Sequence, residues 1–115
     1  MADAHPSSRL ATERLAAIRR EIALLDREIL ELIARRVHLA EEAAGLKTGL
    51  GLEIRHPEVE AVVTRRLEAA CPGLGLRPGL GRELARFLIG CALDSQRHIG
   101  CEVVGREVVG PVVDD

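Results

Sequence analysis

The stretch "LIARRVHLAEEAAGLKTG", residues 32–49, reads at first as the charged end of an amphipathic helix. Placed at 100° per residue, Arg36 and Lys47 fall on the apolar stripe rather than on the wet side. They line up with Ile18, Ile22, Leu25, Ile29, Leu32, Ala40 and Ala43. The two cations are 11 residues apart. That is three turns, so they point within about 20° of each other and lie ~16 Å apart along the axis. Burying either without a partner costs several kcal/mol. Two explanations follow from the pattern. In one, Lys47 snorkels off the helix end and Arg36 pairs with a glutamate on a neighbouring helix. In the other, both enter a polar pocket of a helical bundle and hold an anion.

Outward from this segment, helical periodicity holds from about Leu10 to Gly45 without Gly or Pro. A helix of that length, roughly 50 Å, exceeds what a small domain can wrap. Ala16, Ala23, Leu30 and Val37 form a second apolar strip on another side, and two strips imply two sets of neighbours. In so short a chain the extra neighbour is expected to be a second copy. Residues 47–55 read as a glycine-bearing loop. His56-Pro57 opens a second helix, with Glu58 and Glu60 in its first turn, and Cys71-Pro72-Gly73 stops it. "GLGLRPGLG", residues 73–81, is a connector, and a third helix runs from about Gly79 to His98. The expected organisation is a flexible N-terminus over 1–9, a helical domain over 10–99 and a loosely attached tail over 100–115.

Composition narrows the function classes. Among 115 residues, 16 Lys and Arg against 18 Asp and Glu give no basic excess for nucleic acid, and Phe87 is the sole aromatic. The N-terminus has no signal-peptide pattern, and no apolar run approaches a membrane span. Three cysteines at irregular spacing fit free thiols in a reducing cytoplasm, the expected location. Gly73-Leu-Gly75 lacks the preceding strand of a dinucleotide fingerprint. His56-Pro57-Glu58 lacks the Pro-Cys-x-x-Cys partner of a zinc deaminase. His5, His38, His56 and His98 have no ligand spacing, so no metal or other cofactor is expected. No nucleophile–base arrangement is evident either. An enzyme of this sequence is expected to work without a nucleophile.

Arg19 lies 17 residues before Arg36. On a straight helix that is ~25 Å away and rotated by about 100°, so no small ligand reaches both within one chain. If both serve one site, Arg19 must come from a second chain packed antiparallel. With that geometry in view, "LAAIRREIALLDREILELIARRVHLAEEAAGLK" closely resembles the first helix of the all-helical (AroQ-type) chorismate mutases. In that family an L-x-x-[LI]-R-x-x-I-x-x-[LI]-D opening leads to an Arg-Arg pair and then to a lysine eleven residues beyond the functional arginine. Ile18-Arg19, Ile22, Leu25-Asp26, Arg35-Arg36 and Lys47 hold those places without a gap. The resemblance runs from about Leu15 to Gln96 and is most specific in the long helix.

What the resemblance implies is an all-α, three-helix chain with one long N-terminal helix, in an intertwined homodimer with shared active sites. The implied reaction is the one-step pericyclic rearrangement of chorismate, a dianion, to prephenate, with no cofactor. Carried over by position, Arg36 and the other chain's Arg19 clamp the carboxylates. Lys47 and Gln96 donate to the breaking ether oxygen, and Glu60 accepts from the ring hydroxyl. Gln96 shares a face of the third helix with Ala85, Ile89 and Ala92, so it is expected to point inward. The family often has an arginine before the glutamate, where Val59 stands here, and an aspartate where His56 stands. It often has a serine one turn before the glutamine, where Ala92 stands. Two polar contacts are therefore missing, with Arg55 a possible substitute for one. Alternatives with the same fold are an isochorismate pyruvate lyase or a 4-amino-4-deoxychorismate mutase, although those sister enzymes tend to lose the glutamate. A further alternative is a weakly active subunit that depends on the synthase opening the shikimate pathway, as some short family members do.

Overall fold

The computed structural model describes residues 6–105, with side chains over 6–96. The described residues form three α-helices and one 3₁₀ turn, with no strand among them: α1 over Pro6–Leu50, α2 over Pro57–Ala70, the turn over Pro72–Leu74 and α3 over Leu80–Gly105. The all-α class and the long first helix agree with the sequence expectation. The flexible terminus and the tail expected from composition fall largely outside the described residues, at 1–5 and 106–115.

Helix boundaries differ from expectation at three points. The first helix begins at Pro6, not Leu10, because Pro is well suited to a first helical turn. At its other end it continues through Gly45 and Gly49, since an interior glycine costs only about 1 kcal/mol against alanine. The stop is at Gly51, whose φ of 75° is a left-handed conformation. The Gly51 N–H donates to Thr48 O at 3.1 Å and the Leu52 N–H to Lys47 O at 2.8 Å, the paired bonds of a Schellman motif. Lys47 therefore belongs to the last turn of α1 and not to the loop. Likewise α3 runs through Gly100 to Gly105, where the sequence reading ended it before Gly100.

The described residues divide into two compact units between Arg35 and Arg36. In the first, α1 carries its apolar residues in the open: Leu25 is 53% exposed, Ile29 54% and Leu30 64%. Within the first unit, most of the residues of both apolar strips are thus exposed, while Ala40 and Ala43 of the first strip line the cleft of the second unit. The second unit holds the rest of α1 with α2 and α3. Its buried apolar side chains are all small, namely Ala44, Cys71 and Ala85.

Two local devices join α2 to α3. Gly79, at φ 92°, starts the third helix without a side chain to cap it. Glu68 of α2 supplies the missing acceptor: its Oε1 receives the Arg82 N–H at 2.8 Å, satisfying one of the free donors at the start of α3. The second device is Gly81. A Cβ at this position would lie 2.5 Å from the Leu67 carbonyl carbon and oxygen and 2.6 Å from Glu68 Cα. Backbone meets backbone there, and only glycine allows it. Gly81→Ala should therefore destabilise the chain by about 1–3 kcal/mol through overpacking. Urea unfolding measures this, and an unchanged midpoint would mean that the two helices do not approach so closely.

Candidate active site

Within the second unit, α1, the α1–α2 loop, α2 and α3 enclose a cleft of about 310 Å³. The last turns of α1 supply Arg36 and Lys47, spaced three turns apart so that both face inward. His56, Val59 and Glu60 come from the start of α2, and Ala92 and Gln96 from α3. Much of the remaining wall is aliphatic, including Leu39, Val63, Ile89 and Leu93. A few polar groups on an apolar lining is the usual make-up of a small-molecule site.

Both cations are half-buried. Arg36 Nη1 donates to Leu88 O at a long 3.5 Å, and Lys47 Nζ donates to Ile54 O at 2.9 Å. Neither has a carboxylate partner among the described residues. Among the described side chains, Arg36 therefore rests on a carbonyl and not on a glutamate of α2 or α3. A carbonyl stabilises a cation but does not neutralise it. Five and three N–H donors are available on guanidinium and ammonium, and each group has spent one.

Glu60 is the acid of the cleft, and it is already partnered. Arg55 Nε meets Glu60 Oε2 at 2.9 Å and Arg55 Nη2 meets Oε1 at 3.2 Å, a two-pronged fork. These hydrogen bonds first, and the charge of Glu60 second, hold the Arg55 guanidinium above its ordinary pKa. Arg55 is exposed and does not line the cleft; it acts on Glu60 instead. Arg36, Lys47 and Arg55 against Glu60 leave the site with two uncompensated positive charges.

Gln96 is buried, at 7% exposure. Its Nε2 donates to Ala40 O at 3.4 Å, while its Oε1 is buried without a partner among the described residues. An orphaned buried acceptor costs about 1–3 kcal/mol. The inward face predicted for α3 holds, with Ala85 fully buried and Ile89 and Ala92 on the cleft wall.

Of the residues singled out from sequence, Arg36, Lys47, Glu60, Gln96, Val59 and Ala92 come together here. Arg19 does not: it lies in the first unit, exposed, and is not part of the lining. His56, which opens the second helix and departs from the family pattern, also lines the cleft. Its backbone is extended, at φ −126° and ψ 99°, and its side chain makes no cap bond to α2. The Pro at position 57 was the available signal, since it marks residue 56 as the helix entry. Among the described residues no group of three or more His, Cys, Asp or Glu is arranged to hold a metal ion.

Residues 18–97 match the family model described as chorismate mutase type II. The chain belongs to that family. A chorismate mutase from Methanocaldococcus jannaschii is 48% identical over 48 residues, which cover 42% of this chain and 48% of that protein. The chain thus spans about half the length of the curated relative it matches. No solved structure matches it significantly. Every residue that lines the cleft falls within the part matched by the chorismate mutase type II model.

A half-buried cation without a carboxylate partner among the described residues is a liability to the fold. Arg36→Met, which keeps the aliphatic stem and removes the charge, should leave the unfolding midpoint unchanged or raise stability by about 1 kcal/mol. A clear fall in thermal midpoint would mean that the bond to Leu88 O is a structural tie.

Proposed function

We propose that the chain is a chorismate mutase, an isomerase that rearranges chorismate to prephenate in the cytoplasm as a homodimer with two shared sites. The observation that carries this reading is the pair of cations, Arg36 and Lys47, without a carboxylate partner among the described residues, sharing one mostly apolar cleft with the Gln96 amide. A site with two surplus positive charges suits a dianion. Family membership supplies the candidate substrate.

The residues divide the work. Arg36 grips one carboxylate with the N–H groups it has not spent on Leu88 O, and Arg19 of a second copy grips the other. The substrate is then held in the compact chair from which its reacting carbons meet. As the ether bond breaks, negative charge grows on the oxygen. Lys47 still has two N–H groups beyond the one on Ile54 O, and the Gln96 amide has a second N–H beyond the one on Ala40 O. Both donate to that oxygen more strongly in the transition state than in the ground state, which is what raises the rate. Glu60 accepts from the ring hydroxyl. The exposed apolar residues of α1 favour the second copy, because among the described residues the buried apolar side chains are all small and much apolar surface is still to cover.

One observation favours a sister substrate: Val59 and Ala92 present hydrocarbon to the cleft where the family often presents donors. Glu60 weighs against it. A dependent subunit, activated by the synthase that opens the shikimate pathway, is the other reading those two residues leave open.

Purified protein should consume chorismate faster than isochorismate or 4-amino-4-deoxychorismate in parallel assays. In Gln96→Glu the new carboxyl donates to the ether oxygen only when protonated. Chorismate turnover by this variant should therefore rise as pH falls, unlike that of the parent. No turnover by the parent would sink the proposed reaction, and a flat profile in an active variant would remove Gln96 from its donor role.

Shared sites make a separate prediction. Arg19→Ala and Lys47→Ala homodimers should both be nearly inactive. Equimolar mixing after subunit exchange should restore about a quarter of the intact sites, because each heterodimer then holds one complete set. Failure of mixing to restore activity, with exchange verified by mass, would refute a site built from two chains.

A further inference from the structure

Gln96 is held poorly by its own contacts. Among the described residues its one hydrogen bond is long, at 3.4 Å, and its carbonyl oxygen is buried without a partner. A donor that must meet a developing charge needs its place fixed to a fraction of an ångström, so something else has to supply the rigidity. The neighbouring residue on each helix does so. Ser95 Oγ donates to Glu41 Oε2, next to the contact between Gln96 and Ala40 O. Residues 95 and 96 of α3 are thus tied to residues 41 and 40 of α1 by adjacent bonds that run side by side. Both Glu41 and Ser95 are half-buried, where a hydrogen bond is stronger than in open water. Neither lines the cleft, so neither is placed to touch a ligand.

We propose that Glu41 and Ser95 are positioning residues, a side-chain clamp that sets the rotation and height of α3 against α1 and so aims the Gln96 amide at the reacting ether oxygen. The proposal rests on the reading of the cleft as a chorismate site. A clamp of this kind acts on the transition state and leaves ground-state binding to Arg36 and the carboxylates. Its loss should appear in kcat and not in KM.

The test compares Glu41→Ala and Ser95→Ala with Glu41→Gln, which keeps a side-chain acceptor of the same length. Removing either half of the clamp should lower kcat about ten-fold with KM little changed, while Glu41→Gln stays within about two-fold of the parent. In a Gln96→Ala background, Glu41→Ala should cause no further loss, because the group it aims is gone. A further loss of similar size in that background would overturn the proposal, since a general structural role predicts it. An unchanged kcat in soluble, folded Ser95→Ala would overturn it as well, and this single-hydroxyl deletion serves if Glu41→Ala does not fold. Should the parent not turn over chorismate, the reaction reading fails but the clamp is still measurable. The Gln96 side-chain NH₂ resonances, assigned by their absence in Gln96→Ala, should move in Ser95→Ala and hold in Glu41→Gln. Resonances unmoved in Ser95→Ala refute the clamp whatever the reaction.

Discussion

Keeping a guanidinium and an ammonium half out of water, with backbone carbonyls for company and no carboxylate among the described residues, is the constraint around which the second unit is arranged. Leu88 O and Ile54 O each accept one N–H from a cation, enough to orient it and too little to cancel its charge. A fold selected for stability alone would have placed an acid opposite Arg36, and the chain has 18 acids to draw on. The acid that does reach the cleft, Glu60, is balanced by Arg55 from the loop. The electrostatic imbalance is therefore conserved by construction: the site's only carboxylate among the lining residues brings its own counter-charge. Functional sites are where such local disadvantages are tolerated.

A second imbalance concerns apolar surface. Single-chain helices normally bury Leu and Ile against something, at about 25 cal/mol per Å². Here Leu24, Leu25, Ile29, Leu30 and Leu32 are all exposed, while Ala44, Cys71 and Ala85 are buried. The small buried residues have a purpose of their own. Together with Gly81 against Leu67 and Glu68, they let helices approach closely where the chain meets itself. Large apolar residues are held back for other surfaces. Under the proposed reading this division separates what one chain packs internally from what two copies pack together, and the same surface that needs covering carries Arg19.

Helical periodicity made much of this legible in advance. A stripe containing Arg36 and Lys47 at an 11-residue spacing can only present both to one side, and Gln96 in register with Ala85, Ile89 and Ala92 can only turn with them. The helix ends were less legible, because an interior glycine and a terminating glycine look alike in sequence. Gly45 and Gly49 are passed through, while Gly51 stops α1, and the difference is a backbone angle set by the bonds to Thr48 and Lys47. Long-range polar partners were hidden for a different reason. Ser95 with Glu41 and Arg82 with Glu68 depend on how helices cross, and nothing local encodes a crossing.

The exchange of a helix cation for a loop cation has a consequence for what Glu60 can recognise. With Val59 in the place where the family often has an arginine, charge balance falls to Arg55, which approaches from outside the cleft. Its fork takes one acceptor position on each carboxylate oxygen and leaves a lone pair on each. A ligand hydroxyl can still donate to such a group, since it brings no charge that must be balanced. A ligand ammonium would gain less there than beside an unpaired carboxylate, because the guanidinium already neutralises the acid and repels a second cation nearby. The same pairing that leaves the cleft with two surplus positive charges thus tilts its acid toward a neutral donor. Under the proposed reading, the ring substituent that suits Glu60 is a hydroxyl, which is the substituent that distinguishes chorismate from its 4-amino counterpart.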